Sequence, residues 1–232
     1  MDAGVDAPPD AARPDADPGI EFAIRWGGTG FDAGWALAVD SRGDIFVAGH
    51  FEGTADFGGR SLTSAGGFDL YVAKYSSAGG LIWVRGFGAA QWDQALAVTV
   101  DRSDDVVVTG YFGVAAGNRD VFVAKLAGTD GATRWQRAFG GPATEPDTGK
   151  AVAIDVSGDV LLAGIFQGTL NLGGLPLTSN GLYDFFVVRL RGSDGVPEQA
   201  RRWGSAGEER VSGLDVDAAG ELWLSEFFLD TT

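Results

Sequence analysis

The stretch Ala36 to Phe51, ALAVDSRGDIFVAGHF, returns three times along the chain: as AVTVDRSDDVVVTGYF from Ala97, AVAIDVSGDVLLAGIF from Ala151 and GLDVDAAGELWLSEFF from Gly213. In each copy an aspartate (Asp40, Asp101, Asp155, Asp217) stands nine residues before Gly49, Gly110, Gly164 or, in the last copy, Glu226. A unit repeated in this way cannot bury its apolar face alone, so neighbouring copies must stack on one another. The repeat constrains architecture and names no reaction.

Each copy reads as two short strands around a tight turn: apolar and polar residues alternate, a turn of the Asp-x-x-Gly-Asp kind intervenes, and alternation resumes. The turn aspartate accepts bonds from amides two or three residues on, and Gly43, Gly158 and Gly220 supply the positive φ a tight hairpin often needs. In the second copy Ser103-Asp104-Asp105 replaces that glycine, which predicts the loosest of the four turns. The first strand carries small residues on one side (Ala36, Ala38) and bulky ones on the other (Leu37, Val39), a pattern suited to a crowded inner strand.

Thirty-seven glycines and eight prolines among 232 residues, with no apolar helical stripe, place the chain in the all-β class; 45% hydrophobic and 11% aromatic content is ample for a core. A net charge of -15 argues against nucleic acid or an anionic membrane as partner. Zero cysteines exclude disulfides, thiolate nucleophiles and cysteine metal sites. No apolar run is long enough for a transmembrane segment.

Residues 1–19, MDAGVDAPPDAARPDADPG, have no aromatic residue and five aspartates, which predicts a solvated, proline-stiffened linker. This stretch resembles the Ala/Pro/Asp linkers that follow the lipidated cysteine of bacterial surface lipoproteins. The resemblance implies an extracellular or cell-surface location and an amino terminus upstream of Met1. From residue 20 to 232 the repeats divide near 26–86, 87–138, 139–202 and 203–232, with aromatic anchors Trp26, Phe87, Phe139 and Trp203 spaced by 61, 52 and 64 residues. A third strand follows each inner pair (DLYVAKYS from Asp69, DVFVAKLA from Asp120, DFFVVRLR from Asp184), so each full repeat supplies a meander of four strands.

Four antiparallel strands at this period describe a β-propeller blade. LAVDSRGDIFVAGHF, DFGG and GGFDLYVAKYSSAGGLIWVRGFG resemble the bacterial β-propeller repeat known as the SBBP repeat. The resemblance covers nearly everything after Gly19, implies a radial array of four-stranded antiparallel blades, and carries almost no catalytic information. A count of fifteen strands, ending in a partial repeat, predicts an incomplete arc of a larger propeller, with the remaining blades or self-association covering its ends.

Loops of a meandering blade alternate between the two faces of the disc. Asp32, Asp93, Asp147 and Glu209, each eight residues before a turn aspartate, therefore share one face with Asp69, Asp120 and Asp184. These acids make either a cation-binding rim around the channel mouth or a set of backbone acceptors, each serving its own blade. Calcium is the one metal to weigh, but Asp101-Arg102-Ser103-Asp104-Asp105 lacks the alternating acids of an EF-hand loop, and no cofactor is implied. Lys74, Lys125 and Arg189 lie five residues beyond Asp69, Asp120 and Asp184, which suggests a repeated ion pair along the third strand, solvent-facing or between blades. His50 is the single histidine, and no triad assembles around it.

Trp83 and Trp135 follow glycines by four residues and look like the tryptophan-docking motif of the pyrroloquinoline-quinone dehydrogenases, implying rings wedged between blades; the cofactor-binding residues of those enzymes have no counterpart. The first and third repeats carry long hairpins, GTADFGGRSLTSAGGFD and GTLNLGGLPLTSNGLYD, read either as longer strands or as a recognition surface. The functional expectation is a non-catalytic scaffold in a secreted or surface-tethered bacterial protein that binds a protein or a glycan. The rival is a propeller hydrolase or lyase with carboxylates at the channel mouth.

Overall fold

The structure, a computed structural model, describes residues 23–115, 117–142 and 146–229; the linker expected over residues 1–19 lies outside the described residues. Among the described residues there is no helix. The first sheet is a meander of β2 (Ala33–Val39), β3 (Ile45–Asp56), β4 (Ser61–Tyr75) and β5 (Leu81–Phe87), with β1 (Gly27–Gly28) paired to the far end of β3. The second is β6 (Gln94–Val100), β7 (Val106–Ala115), β8 (Asn118–Leu126) and β9 (Thr133–Phe139). The third is β10 (Thr148–Ile154), β11 (Val160–Phe166), β14 (Asp184–Leu190) and β15 (Pro197–Trp203), with β12 (Thr169–Asn171) and β13 (Pro176–Thr178) as a separate hairpin. A two-stranded sheet of β16 (Glu208–Val216) and β17 (Leu222–Leu229) ends the series. All of these ladders are antiparallel. The total exceeds fifteen because the hairpin of the third repeat forms strands of its own. The stretch expected as a first strand, Glu21–Gly28, is strand only at Gly27–Gly28 among its described residues.

Four consecutive residues of β8, Val121 to Ala124, are fully buried, which requires cover on both faces of the sheet. Val121 and Val123 join a cluster with Leu162, Phe186 and Val188 of the third sheet, whereas Phe122 and Ala124 join Phe46, Leu70 and Val72 of the first. The first strands run beside one another in sequence, β2 against β6, β6 against β10 and β10 against β16.

Two β-bulges recur. One skips Trp35, Leu96, Lys150 and Ser212 in the first strand of each sheet. The other skips Ile82, Arg134 and Glu198 in the fourth strand, immediately before Trp83, Trp135 and Gln199. A bulge re-aims the side chains around it, and the second one delivers the tryptophans to the joint between sheets. The Trp83 indole N–H donates to Gly128 O (3.1 Å) in the β8–β9 turn of the next sheet, and that of Trp135 to Gly192 O (3.0 Å) in the β14–β15 turn. Lys74 and Lys125 donate to the same two carbonyls. Gly131 makes this closure possible: it sits at φ +72°, and a Cβ there would lie 2.8 Å from the Trp83 ring.

The repeated cation pairs with the turn aspartate rather than with the acid of its own strand. Lys74 Nζ lies 2.8 Å from Asp40, Lys125 Nζ 2.6 Å from Asp101, and Arg189 Nη2 2.9 Å from Asp155. The turn of the second repeat keeps the bonds of the others, Asp104 N to Asp101 O (3.0 Å) and Asp101 N to Asp105 O (2.9 Å), with Asp104 itself at φ 61°. Its carboxylate also accepts from the amide (2.9 Å) and hydroxyl (2.8 Å) of Ser41 in the first sheet, so this turn is anchored across the joint rather than loosened. The long hairpins turn apolar residues inward: Phe57 is fully buried against Trp26 and Phe51, and Leu170 and Leu172 pack with Trp135 and Phe139 of the preceding sheet.

Candidate functional site

The loop ahead of each first strand is closed by the acid it carries. Asp93 accepts through Oδ2 from Ala89 N (2.7 Å) and through Oδ1 from Gly113 N (2.9 Å), while its own amide donates to Phe68 O (2.7 Å) of the first sheet. Asp32 accepts from Gly28 N (2.7 Å) and Glu52 N (3.3 Å), Asp147 from Gly141 N (3.1 Å), and Glu209 from the Ser205 hydroxyl. The amides of Asp147 and Glu209 donate to Arg119 O and Tyr183 O (both 2.8 Å), repeating the stitch between sheets. Each stitch joins the acid of one sheet to the carbonyl that immediately precedes the third-strand acid of the preceding sheet: Asp93 to the residue before Asp69, Asp147 to that before Asp120, Glu209 to that before Asp184. Asp69 accepts from Ala65 N (3.1 Å); Asp184 accepts from Asn180 N (3.1 Å) and Arg202 Nη1 (2.6 Å). Asp120 lies against Gly140, as Asp69 does against Gly88 and Asp184 against Gly204.

Six of the seven acids are thus linked in three cross-sheet pairs at one end of the sheets, with Asp32 outside these pairs; Asp93, Asp147 and Asp184 are fully buried. Among the described residues no group of three or more His, Asp or Glu side chains is placed to hold a metal ion. Burial pushes the Asp93 carboxyl up to about 6 against the pull of its two amides, and the neighbouring Asp69 adds to the rise. Burial also raises Asp69, against the Ala65 amide, and Asp120. Between about pH 4 and pH 6 the unfolded chain has released the Asp93 proton and the folded chain still holds it, so raising pH through this window weakens the fold by up to about 3 kcal/mol. Asp93→Asn should flatten that slope in urea titrations at pH 4 to 7. It should also cost about 1–3 kcal/mol, because its amide nitrogen must face one of two backbone donors. An unchanged slope would sink the assignment to Asp93.

On the same face the first-strand bulge presents a different side chain in each sheet: Trp35, Leu96, Lys150 and Ser212. Trp35 is 55% exposed, and its indole N–H donates to His50 Nδ1 (3.0 Å), which Gln94 Nε2 also approaches at 2.7 Å. Because Nδ1 accepts the indole proton, the neutral ring carries its own proton on Nε2, a buried nitrogen without a partner. Burial lowers the His50 pKa, against Asp32 and Glu52, so the ring is neutral at pH 7. Phe31 and Phe68 flank it, with centroids 5.5 and 4.6 Å away, and Trp92 lies 5.2 Å from Phe68. Phe31 and Trp92, both 60% exposed, complete an aromatic patch over the first two sheets. Chemically, the patch offers ring faces for stacking, edged by buried acids.

No family model matches the chain. Over 241 aligned residues it is 25% identical to the regulatory protein FlaEY of Caulobacter vibrioides, covering 91% of this chain and 25% of that protein. Over 120 residues it is 24% identical to an uncharacterized WD repeat-containing protein of Acanthamoeba polyphaga mimivirus, 44% of this chain and 9% of that protein. The chain therefore spans a quarter of the length of the first relative and under a tenth of the second. Among solved structures, a glucose dehydrogenase superposes with a TM-score of 0.30 at 11% identity, over 86% of this chain and 94% of its own; so loose a superposition carries no argument. Taken with the all-β sheets and the internal repeat, the WD-repeat similarity fits a β-propeller-like repeat protein. No helix among the described residues is long and apolar enough to cross a membrane.

Proposed function

We propose that the chain is an arc of a β-propeller of the SBBP-repeat kind, acting as a non-catalytic scaffold that receives a protein or glycan on its bulge-bearing face. In this reading it belongs to a secreted or surface-tethered protein, as its resemblance to lipoprotein linkers implies. The radial arrangement is supported at both ends of the first strands. Val100, Ile154 and Val216 with their turn aspartates line one cavity of about 330 Å³, and Leu96, Lys150 and Ser212 line another of about 380 Å³ at the opposite end. Three successive sheets thus contribute equivalent positions to each cavity, as blades around one axis would.

The observation that carries the binding reading is the bulge itself. The backbone irregularity is kept in all four sheets while its side chain changes from Trp to Leu to Lys to Ser. Structural need recurs from sheet to sheet; a recognition surface need not. Affinity electrophoresis in gels containing soluble polysaccharides tests the glycan branch, and hydroxyl-radical footprinting with a captured protein ligand tests the other. Removing two exposed rings with Phe31→Ala and Trp92→Ala should weaken binding by about tenfold or more while leaving the melting temperature within a few degrees. Protection confined to the opposite, turn-aspartate face would sink the reading.

A further inference from the structure

The second half of the bulge-bearing face differs in charge from the rest of the molecule. Lys150 occupies the bulge position filled by Trp35, Leu96 and Ser212 in the other sheets. Arg210 stands where the other sheets have Ala33, Gln94 and Thr148, and Arg119 stands where they have Phe68 and Tyr183. Three unrelated positions of the repeat have therefore changed to cations, in a chain of net charge -15, and two of them, Lys150 and Arg210, line one cavity. Arg210 and Arg119 both lie close enough to Lys150 to disfavour its charge, and its half-buried position disfavours it further, so its pKa is lowered by burial first and by the two arginines second.

Arginine planes cap the tyrosines beneath them, Arg119 over Tyr111 at 4.6 Å and Arg210 over Tyr183 at 5.5 Å, which holds both guanidinium groups in place. Arg210 is paired with Glu208. Among the described residues Lys150 has no carboxylate or carbonyl partner at all, whereas Lys74, Lys125 and Arg189 are each matched to an acid. Folding gains nothing by leaving Lys150 without an acid beside another cation, so an anion is what the Lys150 ammonium lacks.

The cavity beside Lys150, about 380 Å³, is lined by Leu96, Lys150, Arg210, Val211, Ser212 and Phe227. We propose that it binds a carboxylate-bearing sugar of the uronic-acid class, the carboxylate on Lys150 and Arg210 and the C–H face of the ring on Phe227 and Leu96. This rests on the reading of the bulge-bearing face as a recognition surface and names its ligand. The size suits one ring, and the apolar side chains favour a sugar face over a fully hydrated inorganic anion. With Glu208 already on Arg210, the three cations keep two positive charges, and one carboxylate offsets one of them.

The test is isothermal titration of the full chain with glucuronate, glucose and inorganic phosphate as probes. Glucuronate should bind saturably, about tenfold or more tighter than glucose, and both Lys150→Met and the surface variant Arg210→Gln should weaken it about tenfold or more. Equal binding of glucose and glucuronate, tighter binding of phosphate, or unchanged affinity in both variants would overturn the proposal. If the glucuronate response is absent while Phe31→Ala with Trp92→Ala still weakens ligand capture, only the uronic-acid site fails. If neither set of variants changes any binding, the recognition-face reading fails with it.

Discussion

Lys74→Met should destabilise the protein by about 3–5 kcal/mol, a large share of the stability of any single domain. The ammonium has four contacts: Asp40 at 2.8 Å, Asp44 at 3.2 Å, Gly128 O at 3.1 Å and the Phe46 ring 5.0 Å below. The Asp40 side chain is fully buried and that of Lys74 is 5% exposed, so removing the cation strands a carboxylate that water cannot reach. Burial alone would raise the Asp40 pKa. Lys74 and the amides of Arg42 and Asp44 overcome it and hold the carboxyl below its ordinary range. This contribution is accordingly present above about pH 4 and lost as pH falls through the folded value, opposite in sign to Asp93. The repeat supplies its own control. Lys125, 13% exposed beside Asp101, should cost less when changed to Met, and Arg189, 36% exposed between Asp155 and Asp159, should cost about 1 kcal/mol because solvent screens it. Urea denaturation of the three variants ranks them; equal losses, or Arg189 as the costliest, would contradict the role given to burial.

That network also marks how far the sequence could be read. The recurrence of Asp, Gly and β-branched residues at fixed spacing was enough for four-stranded sheets, because it reports turn chemistry and alternation directly. The partner of Lys74 was not legible in the same way. The strand's own acid, Asp69, is five residues away, and an odd spacing along a strand places two side chains on opposite faces; the cation therefore reaches across to the hairpin turn. Asp104 was misleading for a related reason: an aspartate tolerates positive φ well enough to stand in for glycine, and its carboxylate gains Ser41 in return. The acids of the loop face were visible as a repeated spacing, but spacing does not tell which way a carboxylate turns, and two of Asp93's acceptances are from amides 4 and 20 residues away. The bulges left a single trace. Position by position, Trp35, Leu96, Lys150 and Ser212 are the residues immediately before the regular alternation that opens each repeat, and they share no chemistry.

Trp135→Ala should cost a further 3–5 kcal/mol and change how the protein unfolds. The indole is 6% exposed and packs with Phe139, Leu170 and Leu172, so its removal leaves a cavity at the joint between the second and third sheets. The lost hydrogen bond to Gly192 O matters less, since Lys125 Nζ still donates to that carbonyl at 3.3 Å. Trp135→Phe, which keeps most of the ring and drops only the N–H, should therefore cost about 1 kcal/mol. Gly195, at φ +69° with a Cβ position 2.5 Å from the ring, leaves the ring no room to shift toward that turn. In a stack of repeats, stability divides between each unit and its interfaces. Weakening one interface should then separate the melting of the first two sheets from that of the last two. Tryptophan fluorescence and circular dichroism would follow different urea midpoints in Trp135→Ala and the same midpoint in the parent chain. A single coincident transition with a loss below about 1 kcal/mol would mean that the hairpin residues Leu170 and Leu172, and not the tryptophan, hold the joint.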